Sequence, residues 1–270
     1  MVTATLVNPR SERVRAVAAL VRRSARERTG TFLAEGPQAV REAVRHRPDL
    51  VRDVYLTAAA ATRHTDVVTA ARQTRVRLHE CSPEVLAAMS ATEATQGIVA
   101  VCRAAPATLA EVLAAGPKLL VVLAHVRDPG NAGTVVRGAD AVGADAVVVT
   151  SASVDVWSPK VVRATAGSIF HLPVVTGMPV EQVLRELRAA GIAVLAADGA
   201  GATTLPDADL HGPHAWVMGN EAWGLPAEVR AACDAVVRVP IHGKAESLNL
   251  AMAATVCLYA SAAAQRSQSG

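Results

Sequence analysis

The chain has 270 residues, of which 51% are hydrophobic and only 3% aromatic, so a sizeable core must be built from Ala, Val and Leu. No apolar run reaches the roughly 18–20 residues that span a bilayer, and the first residues lack the apolar centre of a signal peptide. Length, composition and a net charge of +3 therefore exclude a membrane-spanning chain and predict a cytoplasmic protein of one large or two smaller domains.

The first hundred residues alternate helical and strand patterns. Residues 8–28 show apolar positions at helical spacing. Pro37 and Pro83 suit a first helical turn, and Ser82 suits an N-cap. Further helices are predicted in PQAVREAVRH, DVVTAARQT and SPEVLAAMS, and strands in TGTFLAEG, VRDVYLT, VRLHEC and GIVAVCRA. These elements predict a compact α/β domain over residues 1–103.

The remaining chain has a different composition. Residues 104–116 are rich in Ala and Pro and predict a linker, which we expect to contain a short helix. From residue 117 onward, apolar runs typical of a parallel sheet buried on both faces alternate with helical patterns, which predicts a doubly wound α/β domain over residues 117–270. The runs are KLLVVLAHV, AVVVTS, IAVLAAD, AWVMGN and AVVRVPI; the helical patterns are AGTVVRGADAVG, PKVVRATAGSIF, PVEQVLRELRAAG, PAEVRAACD and SLNLAMAATVCLYASAAAQ.

Charge is unevenly distributed between the two predicted domains. Residues 1–103 hold 16 arginines, no lysine and 10 acidic side chains, a net charge of +6. Arginine binds phosphate through a bidentate fork and stacks on bases. The excess indicates either nucleic-acid binding or merely solvated helix faces.

Cysteine and histidine spacing predicts no metal site. None of Cys81, Cys102, Cys233 and Cys257 forms a CxxC pair, and no histidine lies at ligand spacing from them. We therefore expect reduced and mostly buried thiols.

Three stretches place polar residues where predicted strands end. The first, DPGNAGTVVRGADAVG (128–143), opens a helix as a phosphate-binding turn does, but its glycines do not fit the G-x-G-x-x-G of a NAD-binding domain. The second is WVMGNEAWGLP (216–226), and the third is VPIHGKAESLNLAMA (239–253). Ligand crevices form at such strand ends. The alternatives are a helix cap for Ser247 and a buried ion pair for Arg137.

In this order, the three stretches resemble the three motifs of the SpoU (TrmH-like) RNA 2′-O-methyltransferases of the SPOUT superfamily. SPKVVRATAGSIFHLPV resembles the segment between the first two motifs. NPR, GTFLAEGPQAVREA and ATQGIVAV resemble the appended substrate-binding domain, a small ribosomal-protein-like fold. The resemblance covers nearly the whole chain, and three motifs in register are far more specific than one.

The resemblance implies a C-terminal domain tied in a deep trefoil knot, with S-adenosylmethionine as cofactor. It also implies a homodimer with the active site near the dimer interface. The residues that match the family's active site are Arg137, Asn131, Glu221, Ser247 and Asn249. The residues whose backbone matches its cofactor pocket are Gly199, Gly219, Val239, Ile241 and Leu248.

Two roles are open for Arg137. It either loses a proton when buried against the substrate and acts as a base, or stays charged, holds a phosphate and stabilises the developing alkoxide. The second is favoured because a free guanidinium is essentially always protonated. Ser247 and Asn249 are expected to orient Arg137 or the ribose, Glu221 to pair with Arg137 or support its loop, and Asn131 to fix the substrate or the turn.

The sequence therefore predicts methylation of a ribose 2′-hydroxyl in RNA, with 23S ribosomal RNA favoured over transfer RNA. Housekeeping and antibiotic-resistance roles stay open. The alternatives are a transfer-RNA enzyme, an inactive RNA-binding module and a NAD-binding reductase. The intact motif residues argue against the inactive module, and the missing G-x-G-x-x-G with the second and third motifs argues against the reductase. The candidate RNA contacts are Arg10, Arg22, Arg23 and Arg26.

Overall fold

A computed structural model describes residues 5–92 and 96–267. The first two residues of the ATQGIVAV stretch lie outside this part. The chain forms two compact units. The N-terminal unit contains the described residues up to Ala105 together with Asp155–His171, and the C-terminal unit contains Pro106–Val154 and the described residues from Leu172 onward.

Helices and strands alternate along the chain. The helices are α1 (Glu12–Ala18), α2 (Arg23–Thr29), α3 (Pro37–His46), α4 (Ala58–Arg63), α5 (Thr65–Gln73), α6 (Pro83–Met89), α7 (Leu109–Ala114), α8 (Pro129–Val142), α9 (Pro159–Ala164), α10 (Val180–Ala189), α11 (Ala227–Ala231) and α12 (Leu250–Ser267). The strands are β1 (Thr31–Glu35), β2 (Val51–Leu56), β3 (Arg77–Glu80), β4 (Ile98–Arg103), β5 (Leu119–Leu123), β6 (Ala146–Val149), β7 (Val174–Thr176), β8 (Ala193–Ala197), β9 (Thr203–Thr204), β10 (His214–Met218) and β11 (Ala235–Arg238).

The N-terminal unit is built on a four-stranded mixed sheet with the order β1-β4-β2-β3. β4 pairs antiparallel with β1 and β2, whereas β2 and β3 are parallel. Because side chains alternate between the faces of a sheet, Leu33, Tyr55 and Val99 share one face. There they pack against apolar residues of α1 and α6, which forms one hydrophobic core.

Residues 155–171 pack with the N-terminal unit, although the predicted second domain runs straight through them. Phe32 of β1 contacts the rings of Trp157 and Phe170, with centroid distances of 5.0 and 6.0 Å. Arg163 forms an ion pair with the buried carboxylate of Glu35. Aromatic packing and ion pairing thus attach this segment to β1.

The C-terminal unit contains a seven-stranded parallel sheet with the order β7-β6-β5-β10-β8-β11-β9. Strands β5, β6 and β10 are completely buried, which explains their continuous apolar sequences. The predicted linker contributes α7, whose Leu109 and Val112 belong to the core of this unit. Thr108 and Glu111 form a capping box that starts this helix.

The boundaries of three helices differ from the sequence expectation. The helix expected over PKVVRATAGSIF ends at Ala164, because Ala166 and Gly167 adopt positive φ angles of 51° and 103° and break the helical backbone. α12 begins at Leu250 rather than near Ser247. α4, which the sequence reading did not predict, begins after Thr57, whose side chain accepts a hydrogen bond from the Ala60 N–H.

No helix in the described part of the chain is both long and apolar enough to cross a bilayer. The four cysteines are free thiols, and three of them are buried, while Cys233 is half-buried. Burial raises the pKa of Cys81 to about 11 and that of Cys257 to about 12, so these thiols stay protonated near neutral pH.

Candidate functional site

A cavity of about 430 Å³ opens in the C-terminal unit where three neighbouring parallel strands end. Gly199 follows β8, Gly219 follows β10 and Val239 follows β11. The start of α12 forms another wall through Leu250 and Ala253. A volume of this size falls within the roughly 300–1,000 Å³ of small-molecule sites. The crevice lies at the carboxyl ends of the strands, where open α/β sheets bind ligands.

All five residues of the predicted cofactor pocket line this cavity. They are Gly199, Gly219, Val239, Ile241 and Leu248. The aliphatic side chains among them provide an apolar wall, and the backbone is exposed at Gly199 but buried at Gly219. This combination suits a ligand with an adenine ring and polar ends.

The loop after β10 is closed by backbone contacts that require glycine. Asn220 and Gly224 exchange N–H···O=C hydrogen bonds of 2.7 and 2.9 Å. A Cβ atom on Gly219 would lie 2.5–2.7 Å from backbone atoms of Gly224 and Leu225, closer than any side chain tolerates. The Asn220 side chain also donates to the backbone carbonyl of His125 at 3.0 Å. These contacts fix the position of Glu221 at the rim of the cavity.

Three predicted catalytic residues form one hydrogen-bonded chain. The Asn131 Nδ2 donates to Glu221 Oε1 at 3.2 Å, and the Asn249 Nδ2 donates to Asn131 Oδ1 at 2.9 Å. Both asparagines lie at helix starts. The N–H of Asn131 donates to Asp128, the N-cap of α8, and the Asn249 Oδ1 accepts from the Ala251 N–H at 2.9 Å, at the start of α12. The starts of α8 and α12 thus position these three hydrogen-bonded side chains.

Ser247 lines the cavity and is exposed. The possibility that Ser247 serves as the cap of α12 is wrong, because the side chain of Asn249 accepts the N–H groups of Ala251 and Met252. The hydroxyl of Ser247 is therefore positioned to contact a ligand.

Arg137 lies apart from the hydrogen-bonded chain of Glu221, Asn131 and Asn249. It is six residues beyond Asn131 in α8, or about 9 Å along the helix, and its side chain is exposed. No acidic side chain in the described ranges pairs with it, so the buried ion pair considered for Arg137 is wrong. The possible pairing of Glu221 with Arg137 is likewise not observed, because Glu221 accepts from Asn131.

Several residues at the cavity were not singled out from the sequence. Asp198 follows β8 directly and forms an ion pair of 3.2 Å with Arg230 of α11. Trp223 lines the cavity, is 52% exposed, and lies 5.5 Å from the His125 ring. The polar residue after an apolar strand was a signal for Asp198, whereas nothing in the sequence pattern indicated Arg230.

The four predicted RNA contacts have different environments. Arg10 and Arg22 are exposed, and Arg23 is exposed but forms an ion pair with Glu27 at 2.7 Å. Arg26 is only 7% exposed; its guanidinium donates to Asp155 and to the backbone carbonyls of Leu20 and Val21. The assignment of Arg26 to RNA was therefore wrong, because its donors are committed to the fold.

Two adjoining cavities of about 490 and 460 Å³ bring other arginines together in the N-terminal unit. Arg52 and Arg77 line both cavities, Arg13 lines the first, and Arg75 and Arg103 line the second. These side chains come from α1, from strands and from the turn before β3. Sequence reasoning missed this surface because the residues are far apart along the chain.

One acidic group balances part of this charge. The Asp53 carboxylate accepts from His79 at 2.8 Å and pairs with Arg77 at 3.1 Å. Burial opposes its ionisation, but the hydrogen bond from His79 and the charge of Arg77 outweigh burial and keep the Asp53 pKa below its usual value. Asp53 therefore stays ionised. The charge of Arg52 also acts on Asp53, but neither Arg52 nor Arg75 forms an ion pair in the part of the chain that the structure describes.

Comparisons with known proteins agree with both units. The model of the SpoU rRNA Methylase family matches residues 118–259, and that of the MRM3-like substrate binding domain matches residues 11–100. The chain is 34% identical over 238 residues to the 23S rRNA (guanosine(2553)-2′-O)-methyltransferase RlmP of Bacillus subtilis. The match covers 87% of this chain and 89% of that protein.

A second relative and a solved structure extend the similarity. The 23S rRNA (uridine(2479)-2′-O)-methyltransferase of Streptomyces viridochromogenes is 32% identical over 248 residues, with 90% of this chain and 86% of that protein covered. The AdoMet-bound rRNA methyltransferase of Sinorhizobium meliloti has a TM-score of 0.82 and 29% identity, and the match covers 95% of this chain and 96% of that one. The chain belongs to the SpoU rRNA methylase family.

Proposed function

We propose that this chain transfers the methyl group of S-adenosylmethionine to a ribose 2′-hydroxyl of 23S ribosomal RNA. The observation that carries the proposal is the cavity at the ends of β8, β10 and β11, joined through Glu221 to the Asn131–Asn249 chain. Two relatives named as 23S rRNA 2′-O-methyltransferases and an AdoMet-bound neighbour support it. The proposed location of the protein is the cytoplasm, because that is where it would meet ribosomal RNA.

The cavity fits this cofactor in size and in lining. Val239, Ile241 and Leu248 offer apolar contact for an adenine, while the backbone at Gly199 and Gly219 offers hydrogen bonds for polar groups. S-adenosylmethionine supplies an activated methyl group on its sulfonium sulfur. In the transfer, the bond from sulfur to the methyl carbon would break with S-adenosylhomocysteine as the leaving group, a bond from the 2′-oxygen to that carbon would form, and the hydroxyl proton would pass to solvent water.

The side chains of the protein then have two tasks. Alignment of donor and acceptor contributes roughly 7–11 kcal/mol in well-oriented reactions, and Glu221, Asn131, Ser247 and Asn249 are proposed to provide that alignment. Arg137 is proposed to hold an RNA phosphate and stabilise the developing alkoxide, because its exposed guanidinium keeps its donors available.

The active unit is proposed to be a homodimer, as is typical of the family. Met252, Val256 and Tyr259 are 60%, 42% and 54% exposed and lie at i, i+4 and i+7 of α12, so they form one apolar stripe. α8 and α12 pack closely near this stripe. A Cβ atom on Gly138, the residue after Arg137, would lie 3.2 Å from the hydroxyl of Thr255, the residue before Val256. A second copy that covers the stripe would therefore approach Arg137.

The RNA-binding surface is proposed to lie on the N-terminal unit and to use Arg10, Arg22 and Arg23. The cavity-lining arginines Arg52 and Arg75 are added, because they are exposed and form no ion pair in the described part of the chain. Arginine clusters of this kind bind RNA phosphates through charge.

The test is methyl incorporation from labelled S-adenosylmethionine, with unmethylated 23S rRNA and bulk transfer RNA as parallel substrates. We expect label in 23S rRNA only. Cofactor binding is measured separately by calorimetry. Label confined to transfer RNA would overturn the proposed substrate, and a chain that binds no cofactor would overturn the proposed chemistry.

A further inference from the structure

Three potential metal ligands converge on the N-terminal unit, outside the sites described above. Glu42 and His46 lie one turn apart on α3, and His171 ends the segment that packs with this unit. One nitrogen from each imidazole and one carboxylate oxygen lie within 4.8 Å of one another. Within residues 5–92 and 96–267, this is the one such group of three.

Two of the three distances between the ligand atoms match those around a tetrahedral ion, and the third is at most 4.8 Å. His46 Nε2 lies 3.3 Å and His171 Nε2 lies 3.2 Å from the same atom, Glu42 Oε2. In a tetrahedral zinc site with bonds of about 2.0–2.1 Å, neighbouring ligand atoms lie about 3.4 Å apart. An ion can therefore be held by small rotations of these three side chains.

The carboxylate is held in place from two sides. Its second oxygen, Oε1, accepts a hydrogen bond of 3.1 Å from Gln38 Nε2, and the Gln38 carbonyl accepts from Arg41 at 3.3 Å. A Cβ atom on Gly167 would lie 2.4 Å from the Glu42 Cγ, so the stem of Glu42 packs directly on the backbone there. Such outer contacts orient the ligands of metal sites.

The site is accessible to ions. The His46 side chain is 53% exposed and that of His171 is 25% exposed, while Glu42 is 14% exposed. Two imidazoles and one carboxylate form a ligand set that zinc sites use, with a remaining position for water.

We propose that Glu42, His46 and His171 bind one Zn²⁺ ion and thereby join α3 to the segment that ends at His171. This inference is independent of methyl transfer. It departs from the sequence expectation of no metal, which considered cysteine spacing and could not foresee that residues 46 and 171 meet. Without the ion, the same contacts are hydrogen bonds between imidazole and carboxylate.

The test uses the full-length, untagged chain freed of metal by chelation. Zn²⁺ is titrated against a chromophoric chelator, and Co²⁺ is added in parallel to record its visible absorption. We expect one Zn²⁺ per chain, a tetrahedral Co²⁺ spectrum without a thiolate band, and a zinc-dependent rise in Tm.

Three variants and a matched control locate the ion. His171→Gln and His46→Gln remove a ligand and should weaken binding by at least tenfold, and Gln38→Ala should weaken it by about 10–100-fold, as loss of outer-shell contacts does. His211→Gln is the control, because His211 contacts one carboxylate, Asp209, at 3.1 Å without a third ligand.

Two results would overturn the proposal. One is the absence of stoichiometric zinc binding by the wild-type chain, which would leave a hydrogen-bonded cluster only. The other is unchanged affinity in His46→Gln. Because His46 is exposed at the end of α3, the expected loss of affinity in this variant would not be explained by misfolding. A thiolate band in the Co²⁺ spectrum would assign the ion to cysteine instead.

Discussion

Arg137 shows how the position of one charged residue limits its role. Its guanidinium is exposed on α8, and no acidic side chain of the described residues forms an ion pair with it. A permanently charged fork suits a phosphate or a developing alkoxide better than it suits proton abstraction. The charged role is therefore the one that the geometry of the single chain favours.

Arg137→Ala is expected to reduce methyl transfer by at least 100-fold, because loss of one preorganised donor costs about 10²–10³ in rate. Cofactor affinity and Tm should stay at wild-type values, since the side chain supports neither the cavity nor the core. Arg185→Ala, which removes an exposed arginine from α10, is the control. Wild-type turnover by Arg137→Ala would remove this residue from the mechanism.

His214 provides a test of pH dependence. Its side chain is buried, and its Nδ1 lies 2.8 Å from the Gly212 carbonyl, which can only accept. Burial lowers the His214 pKa below the ordinary 6.5. The folded state therefore binds this proton less readily than the unfolded state, and stability is full above about pH 6.5 and is lost as pH falls toward the folded-state pKa.

We expect the free energy of unfolding in urea to decline below about pH 6.5, and the decline to be shallower in His214→Gln. His211→Gln, an exposed histidine three residues away, should retain the wild-type slope. Equal slopes in the wild type and His214→Gln would show that other groups cause the decline.

At the scale of elements, the start of α12 joins stability to the site. Asn249 caps this helix through its Oδ1 and contacts Asn131 through its Nδ2. The Oδ1 of Asn249 thus caps the helix and its Nδ2 contacts the site, and a substitution can remove one of these roles without the other.

Asn249→Asp keeps an oxygen for the cap but removes the donor to Asn131, so we expect near wild-type stability and slower methyl transfer. Asn249→Ala loses both, which should cost about 1 kcal/mol of stability in addition to activity. Urea unfolding and steady-state kinetics of the two variants check this. If Asn249→Asp transfers methyl groups at the wild-type rate, the hydrogen-bonded chain has no part in alignment.

The sequence predicted elements well where local signals agree. α3 runs from Pro37 to His46 as predicted, because a proline at the first position and an amphipathic pattern favour the same helix. The end of α9 was predicted wrongly. Gly167 indicates a helix break, but the apolar residues around it continue the helical pattern. The strand-end glycines were likewise predictable, because strand, turn and helix are local features.

Contacts between distant residues were not predictable. Arg26 looks like any arginine in a basic run, and its partner Asp155 is 129 residues away. The Asn131–Glu221 contact spans 90 residues. Such pairs depend on tertiary packing, which a single sequence does not encode in its periodicity.

At the scale of the whole molecule, the apolar stripe on α12 predicts self-association. If the proposed dimer forms, Val256→Glu should convert it into monomers in sedimentation experiments, because a carboxylate would be buried without a partner. Methyl transfer should fall with it. Val21→Glu is a matched control for sedimentation only, since Val21 is 43% exposed and Val256 is 42% exposed, but Val21 adjoins Arg22 of the proposed RNA surface. A monomeric wild type with full activity would contradict the dimer proposal.

The N-terminal arginine surface predicts a salt-dependent affinity for RNA. Arg52→Gln and Arg75→Gln together should lower the slope of log K against log salt by about one unit for each lost phosphate contact. Arg63→Gln, an exposed arginine at the end of α4, serves as the control. An unchanged slope in the double variant would place the RNA contacts elsewhere.

Methylation of a ribose 2′-oxygen is the proposed reaction of this protein. The most direct measurement maps the labelled methyl group in 23S rRNA by resistance of the neighbouring linkage to alkaline cleavage. Relatives of similar identity modify a guanosine or a uridine, so the map also assigns the base. We expect a single alkali-resistant linkage that is missing with Arg137→Ala. Label on a base, with every linkage still cleaved by alkali, would contradict it.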